Sequence, residues 1–272
     1  TMNMKCTAFF ISDSTGITAE TFGNSLLMQF ETIECERITL PYINTITEAE
    51  KTIECINQTE GLTLVFSTVV EPKIRQLLLT CQAPMFDIFD TFLKRVEDAL
   101  HASHTKSIGR LHSVHNPAVY DMRIAAVQYT LNADDGGNTN HYDMADVILL
   151  GVSRSGKTPT CLYMALRYGI SVANFPLTEE VLKTLKLPAA AQGFAKKLFG
   201  LTIDAKRLHE LRTQRYGNSQ YASIERCQQE LKQADKIFRQ ANIPVLDTTD
   251  FSIEEIATKI IHMTGIKPHH HI

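Results

Sequence analysis

The chain has 272 residues, 44% of them hydrophobic and 21% charged, enough apolar content to build a core and to exclude disorder as the dominant state. Its 27 Lys and Arg against 30 Asp and Glu leave a net charge of −3, without the basic excess of a dedicated nucleic-acid binder. No apolar run reaches the ~18 residues of a membrane span, and Thr1-Met2-Asn3-Met4-Lys5 lacks the apolar stretch of a signal peptide.

In chain order, Cys6 to Ile11 reads as a strand and Thr18 to Phe30 as a helix. Arg37 to Leu40 is the next strand, and Thr47 to Asn57 the next helix. Leu62 to Phe66 is a strand followed by a helix from about Pro72, and Asp90 to His101 is helical by period. This alternation predicts a parallel sheet with helices on its faces. His101 to Asn116 is poor in apolar residues. Asp121 to Leu131 reads as a helix, and Asn132 to Asn140 is rich in turn formers. The domain boundary is expected between Ser103 and Asn140, separating 1–115 from 116–272. The pattern then restarts with a strand at Asp146 to Leu150 and a helix at Lys157 to Tyr168. Short strands are expected at Ser171 to Asn174, Leu198 to Thr202 and Pro244 to Leu246. Helices are expected at Arg207 to Tyr216, Ser219 to Ala241 and Ile253 to Met263, with Ser219 as an N-cap. The fold class is thus α/β in two domains. Six cysteines, at 6, 35, 55, 81, 161 and 227, form no CxxC pair and fit neither a zinc site nor a disulfide scaffold. Reduced thiols and a cytoplasmic location are the expectation.

The strongest chemical signal is Gly151-Val152-Ser153-Arg154-Ser155-Gly156-Lys157-Thr158. It fits G-x-x-x-x-G-K-[ST], the loop whose backbone N–H groups curl around phosphate oxygens. Lys157 supplies a point charge to the terminal phosphates, Thr158 a hydroxyl for Mg²⁺, and the following helix its positive end. A buried-strand pattern precedes the loop and an apolar helix follows it. Arg207, Arg212 and Arg215 fall near one another on a helix, with Arg226 further on. They suit either phosphoryl contact or a solvated face. Asp134-Asp135-Gly136 could supply a base or a metal ligand, or be a hydrophilic turn. Asp146, some 16 Å of strand from the loop at about 3.3 Å per residue, is a weaker candidate. Ser12 to Thr18 lies at the carboxyl edge of the first sheet, where ligands bind; a site for an anion or for part of a protein substrate, and a hydroxyl-rich cap, are all open there. His101, His104, His112 and His115 lack metal-ligand spacing. His269-His270-His271 could bind metal adventitiously.

These residues resemble a known family. Val147 to Thr160 looks like the signature of the bacterial phosphoenolpyruvate synthetase regulatory proteins, a kinase and pyrophosphorylase family that also includes the pyruvate, phosphate dikinase regulators. Ile11 to Glu20, Asp121 to Ala126, Asp134 to Gly136 and Ala173 to Pro176 extend the resemblance. So do Leu198 to Asp204, Asn218 to Ser223 and Glu254 to Ile260. Gly156 and the Leu198 to Asp204 segment resemble the synthetase branch. Ser14 stands where close relatives usually carry glycine. The resemblance implies a Rossmann-like N-terminal domain and a P-loop kinase-like C-terminal domain. It implies ADP-dependent phosphorylation of a threonine on phosphoenolpyruvate synthetase (pyruvate, water dikinase), which inactivates that enzyme. It also implies phosphate-dependent removal of the group with release of pyrophosphate. ADP, inorganic phosphate and Mg²⁺ are the implied small molecules, and a homodimer is left open. Gly151 to Thr158 would bind the nucleotide and Lys157 stabilise the transferred group. Arg212 and Arg215 match basic positions of the family and would contact phosphate; Asp135, from the residues themselves, is the candidate for base or metal duty. Both reactions are expected to share one core around Lys157. The rival readings are the same chemistry on pyruvate, phosphate dikinase, a small-molecule kinase, suited by Pro244 to Asp250, and a non-catalytic nucleotide-binding regulator.

Overall fold

The computed structural model describes residues 4–105, 117–217 and 219–269. The chain divides into two compact units, Thr1–His115 and Asn116–Ile272. Both are α/β, and each is built on a four-stranded parallel sheet.

The first unit runs β1 (Met4–Ile11), α1 (Ile17–Leu27), β2 (Ile33–Leu40), α2 (Ile46–Gln58), β3 (Leu62–Ser67), α3 (Pro72–Leu78), β4 (Met85–Asp87) and α4 (Ile88–Leu100). Its strand order is β2-β1-β3-β4. β1 is central, and its residues from Ala8 to Ile11 are wholly buried. The period of two sends Phe9 and Ile11 to one face, against Ile56 and Ile74, and Ala8 and Phe10 to the other, against Ala19 and Ile88. Burial on both faces is why this strand is a continuous apolar run. Thr45 and Glu48 close a reciprocal capping box on α2, and Pro72 opens α3 where no donor is lost.

The expectation of six free thiols is corrected here. The in-register pairing of β1 with β2 sets Cys6 opposite Cys35. With their Cα atoms 4.4 Å apart, the two are joined as a disulfide; the other four cysteines are free. Sequence spacing could not reveal the pairing because register alone creates it.

The second unit runs α5 (Pro117–Asn132), β5 (Val147–Gly151), α6 (Lys157–Tyr168), β6 (Val172–Pro176), α7 (Glu179–Thr184), β7 (Leu198–Thr202), α8 (Ala205–Tyr216), α9 (Ile224–Gln240), β8 (Val245–Asp247) and α10 (Ile253–Thr264). Its order is β6-β5-β7-β8, the arrangement of the first unit repeated. All of β5 is buried. Ile148 and Leu150 join the core under α8 and α9, while Val147 and Leu149 face α6 and α10. The helix expected from Ser219 begins at Ile224 instead. Ser223 is its cap, accepting from Arg226 N–H. Ser219 heads a separate 3₁₀ turn, Gln220–Ala222, and among the described residues its hydroxyl has no partner.

No described helix is long and apolar enough to cross a membrane. His101 closes α4 in the left-handed region, and the His104 ring lies 2.6 Å from Glu97. His112, His115, Asn218, His270 and His271 lie outside the described residues. Among the described residues no group of three His, Cys, Asp or Glu could hold a metal ion.

Candidate functional site

In an open parallel sheet, ligands bind beyond the carboxyl ends of strands flanked by connections of opposite direction. β5 is such a strand, with β6 on one side and β7 on the other, and it delivers Gly151. A Cβ on Gly151 would stand 2.5 Å from Ser155 Oγ and 2.8 Å from the Leu201 carbonyl oxygen, so the loop can close only over glycine. Gly156, at φ +90°, caps α6. A Cβ there would meet nothing within 4 Å, so its backbone angle is what the site requires. Arg154 also sits in the left-handed region, at φ +76°. The Thr248 hydroxyl, just past β8, lies 3.2 Å from the Ser155 carbonyl oxygen and 3.0 Å from that of Thr202, and so ties the loop to the sheet.

Lys157 is the first residue of α6 and is 4% exposed. Its Nζ donates to the Val152 carbonyl at 3.0 Å, folding back across the loop. Burial pushes its pKa down to about 8, against the upward pull of Asp135, Cys161 and Asp134. Among the described residues the buried Ser155 and Thr160 hydroxyls have no hydrogen-bond partner, which leaves polar capacity at the loop and at the start of α6.

The turn after α5 brings two carboxylates to this loop. Thr158 Oγ1 donates to Asp134 Oδ1 at 2.8 Å. Asn174, fully buried on β6, donates to the same oxygen at 2.5 Å and accepts from the Asp135 N–H at 3.1 Å. Asp135 stands at φ +48° and is exposed; among the described residues its carboxylate makes no hydrogen bond. Asp134, not Asp135, is therefore the partner of Thr158. Asn174 orders both, and its sequence signal was only its place in a strand. Asp146 lies apart, accepting from the Ser171 N–H at 2.8 Å.

The arginines divide. Arg212 is fully buried. It donates to the Ser153 carbonyl at 3.1 Å, to the Tyr221 carbonyl at 3.3 Å and to Glu230 at 2.7 Å, so it braces the loop's backbone from behind. Glu230 also holds Arg226 at 2.8 Å, which in turn reaches Glu179. Arg207 pairs with Glu210 on an exposed face. Arg215 is exposed and points to the Tyr216 ring.

The Ser12 to Thr18 turn occupies the equivalent place in the first unit. It follows the central strand β1, and Gly16, five residues beyond the strand end, caps α1 at φ +82°. Gly156 lies five residues beyond the end of β5. Where Lys157 follows Gly156, Ile17 follows Gly16. Asp13 is buried there, accepting from the Val70 N–H at 2.7 Å. Ser14 is outside the left-handed region and donates its N–H to Ser12 Oγ, so serine fits without strain.

Comparison with known proteins gives one consistent answer. A family model described as kinase/pyrophosphorylase matches residues 8–261. A protein of Marinobacter nauticus named for regulation of phosphoenolpyruvate synthase is 48% identical over 270 residues, covering 98% of this chain and 100% of that one. A protein of Hahella chejuensis with the same name is also 48% identical, over 98% of this chain and 99% of its own. Another of that name, from Legionella pneumophila, is 46% identical over 97% of this chain and 99% of its own.

Proposed function

This chain belongs to the kinase/pyrophosphorylase family, and on that footing we propose that it switches phosphoenolpyruvate synthase (synthetase) off and on by phosphorylating and dephosphorylating a threonine of that enzyme. The partner rests on the names of the three relatives. The observation that carries the chemistry is the Gly151–Thr158 loop on the central strand, with Lys157 buried inside it and Asp134 against Thr158. The equivalent turn of the first unit has isoleucine in place of that lysine, so phosphoryl transfer is assigned to the second unit.

In the forward direction ADP donates. The threonine hydroxyl attacks the β-phosphorus, the bond to the α-phosphate oxygen breaks, AMP leaves and one proton is released. Asp135, exposed and with a carboxylate that makes no hydrogen bond among the described residues, is the acceptor for that proton. In the reverse direction hydrogen phosphate attacks the phosphorus of phosphothreonine. The threonine ester bond breaks, pyrophosphate forms, and the proton of hydrogen phosphate ends on the threonine oxygen. Both directions move one phosphoryl group between two oxygens, so both need in-line placement and cationic stabilisation of the same group. Lys157 supplies that stabilisation, and Arg212 positions the loop through Ser153. Thr158 and Asp134 offer hard oxygen donors of the kind Mg²⁺ takes alongside substrate phosphates, and Mg²⁺ bound there would neutralise phosphate charge.

The test is incubation with ADP and phosphoenolpyruvate synthase, followed by mass spectrometry for phosphothreonine. Lys157→Ala, folded by circular dichroism, is expected to lose both activities by roughly 100-fold or more, the scale of losing one preorganised charge donor, ~3 kcal/mol. Wild-type rates in that variant would refute the assignment. Pyruvate, phosphate dikinase in a parallel incubation tests the other partner.

A further inference from the structure

Resting on that reading, we propose that an apolar groove at the carboxyl end of β6 is the docking site for the protein substrate, taking an extended, apolar segment of its chain next to the target threonine.

The groove starts at the turn that carries Asp135. β5 and β6 pair in register, so Phe175 stands opposite Leu150 and Pro176 opposite Gly151, the first residue of the P-loop. Adjacent strands lie about 4.8 Å apart. The Leu177 N–H donates to the Gly151 carbonyl at 3.0 Å, which ties this end of β6 to the loop. A Cβ on Gly136 would lie 3.4 Å from the Phe175 ring, so the turn packs directly on that ring. Phe175 also opens the groove, which occupies about 530 Å³ and runs on over Val181, Leu187, Pro188 and Ala190. Phe175, Val181, Leu187 and Ala190 are each half-buried. An apolar surface thus leads away from the candidate base.

The walls are held from behind. Glu179, at the start of α7, is gripped by Arg226 at 2.5 Å and by Lys183 at 2.7 Å, and Leu182 is fully buried. α7 stops at Leu185, in the left-handed region at φ +52°. The Gln192 side chain then donates to the Leu187 carbonyl at 3.0 Å, closing the next turn. A groove shaped in advance spares a partner part of the ordering cost of binding.

Position and shape identify the occupant. A small-molecule site encloses most of its ligand, whereas this trough is open along one side and suits a length of chain laid across it. A threonine brought to Asp135 carries its neighbours with it, and on this side they meet Phe175 first. The lining selects apolar side chains there, because burying them releases water from both surfaces. Glu180 and Lys186 stand on the rim, and among the described residues neither has an ion-pair partner. An apolar centre with a charged rim is the anatomy of a protein interface, and opposite charges on that rim give the bound segment a direction.

The experiment measures binding of intact phosphoenolpyruvate synthase to the full chain by surface plasmon resonance. Ala190→Arg fills the groove and Val181→Asp places a charge in its lining; both are checked by circular dichroism. Each is expected to weaken synthase binding by about tenfold or more. ADP affinity by calorimetry should stay within about twofold of wild type, since neither residue touches the P-loop. In the phosphorylation assay the same variants should raise KM for the synthase about tenfold and leave kcat nearly unchanged, a split that a loosened fold would not produce. If Val181→Asp does not fold, Ala190→Arg decides alone. Unchanged synthase binding in the folded variants, or no binding to wild type, overturns the proposal. So does a dimer that Ala190→Arg converts to monomer in the ultracentrifuge with synthase binding intact, which assigns the groove to a second copy of this chain. Groove-dependent binding without any phosphothreonine upholds the docking site and refutes the proposed chemistry instead.

Discussion

Glu230→Gln tests the brace behind the P-loop. Arg212 is fully buried, and Glu230, 6% exposed, lies 2.7 Å from it and 2.8 Å from Arg226. Glutamine keeps the shape and one acceptor but removes the carboxylate that, among the described residues, alone pairs with the buried guanidinium. Breaking a buried pair from one side costs about 3–5 kcal/mol, because a charge is left without compensation. The remaining acceptor and the Ser153 and Tyr221 carbonyls place this case near ~3 kcal/mol. For a unit of this size that is a fall in melting temperature of roughly 6–12 °C. Replacing both partners, Arg212→Met with Glu230→Leu, removes the buried charges together and is expected to recover most of that stability. The double variant also leaves the Ser153 carbonyl without its donor, so ADP affinity should fall about tenfold while the melting temperature recovers. Thermal denaturation by circular dichroism and calorimetric ADP titration read the two effects separately. A single variant within 1–2 °C of wild type, below what a buried pair requires, or a double variant with unchanged ADP affinity, would refute the reasoning.

Asp134→Asn should lower phosphoryl transfer and raise the Mg²⁺ concentration needed for half-maximal rate, since it alters the partner of Thr158. Asp135→Asn should depress the forward rate with the Mg²⁺ requirement unchanged; metal titrations of the two variants separate the roles. Lys157 has a folded-state pKa of about 8 against an ordinary 10.5, so ADP affinity should decline as pH rises through 8, and Lys157→Arg should flatten that decline. The same shift means the unfolded chain binds more protons between pH 8 and 10.5, so the ligand-free protein should gain up to about 3 kcal/mol relative to Lys157→Met across that window, measured by denaturant unfolding. Gly151→Ala should displace the loop and abolish ADP binding, because the new Cβ meets the Leu201 carbonyl; retained affinity in a folded protein would count against the loop geometry.

Sequence by itself determined the elements whose signals are local. The buried strand Val147–Gly151, the glycines of the loop and the helix from Lys157 were legible because each depends on its own residues. The period of two and the spacing of Pro and Gly sufficed for the same reason. Short elements such as β4 and α7 carried too few residues to show a period. What only tertiary structure decided are contacts between segments distant in the chain. Asp134 was chosen over Asp135 by Asn174, 40 residues on, which fixes the turn so that one carboxylate meets Thr158 and the other stays free. Arg212 and Arg215 are indistinguishable as basic residues on one helix. A difference of three positions turns one inward to Glu230 and leaves the other exposed beside Tyr216. Register joined Cys6 to Cys35 across two parallel strands. The likeness of the Ser12 to Thr18 turn to the P-loop emerged only when both sheets proved to share one strand order, since strand order is fixed by packing and leaves no mark in either turn.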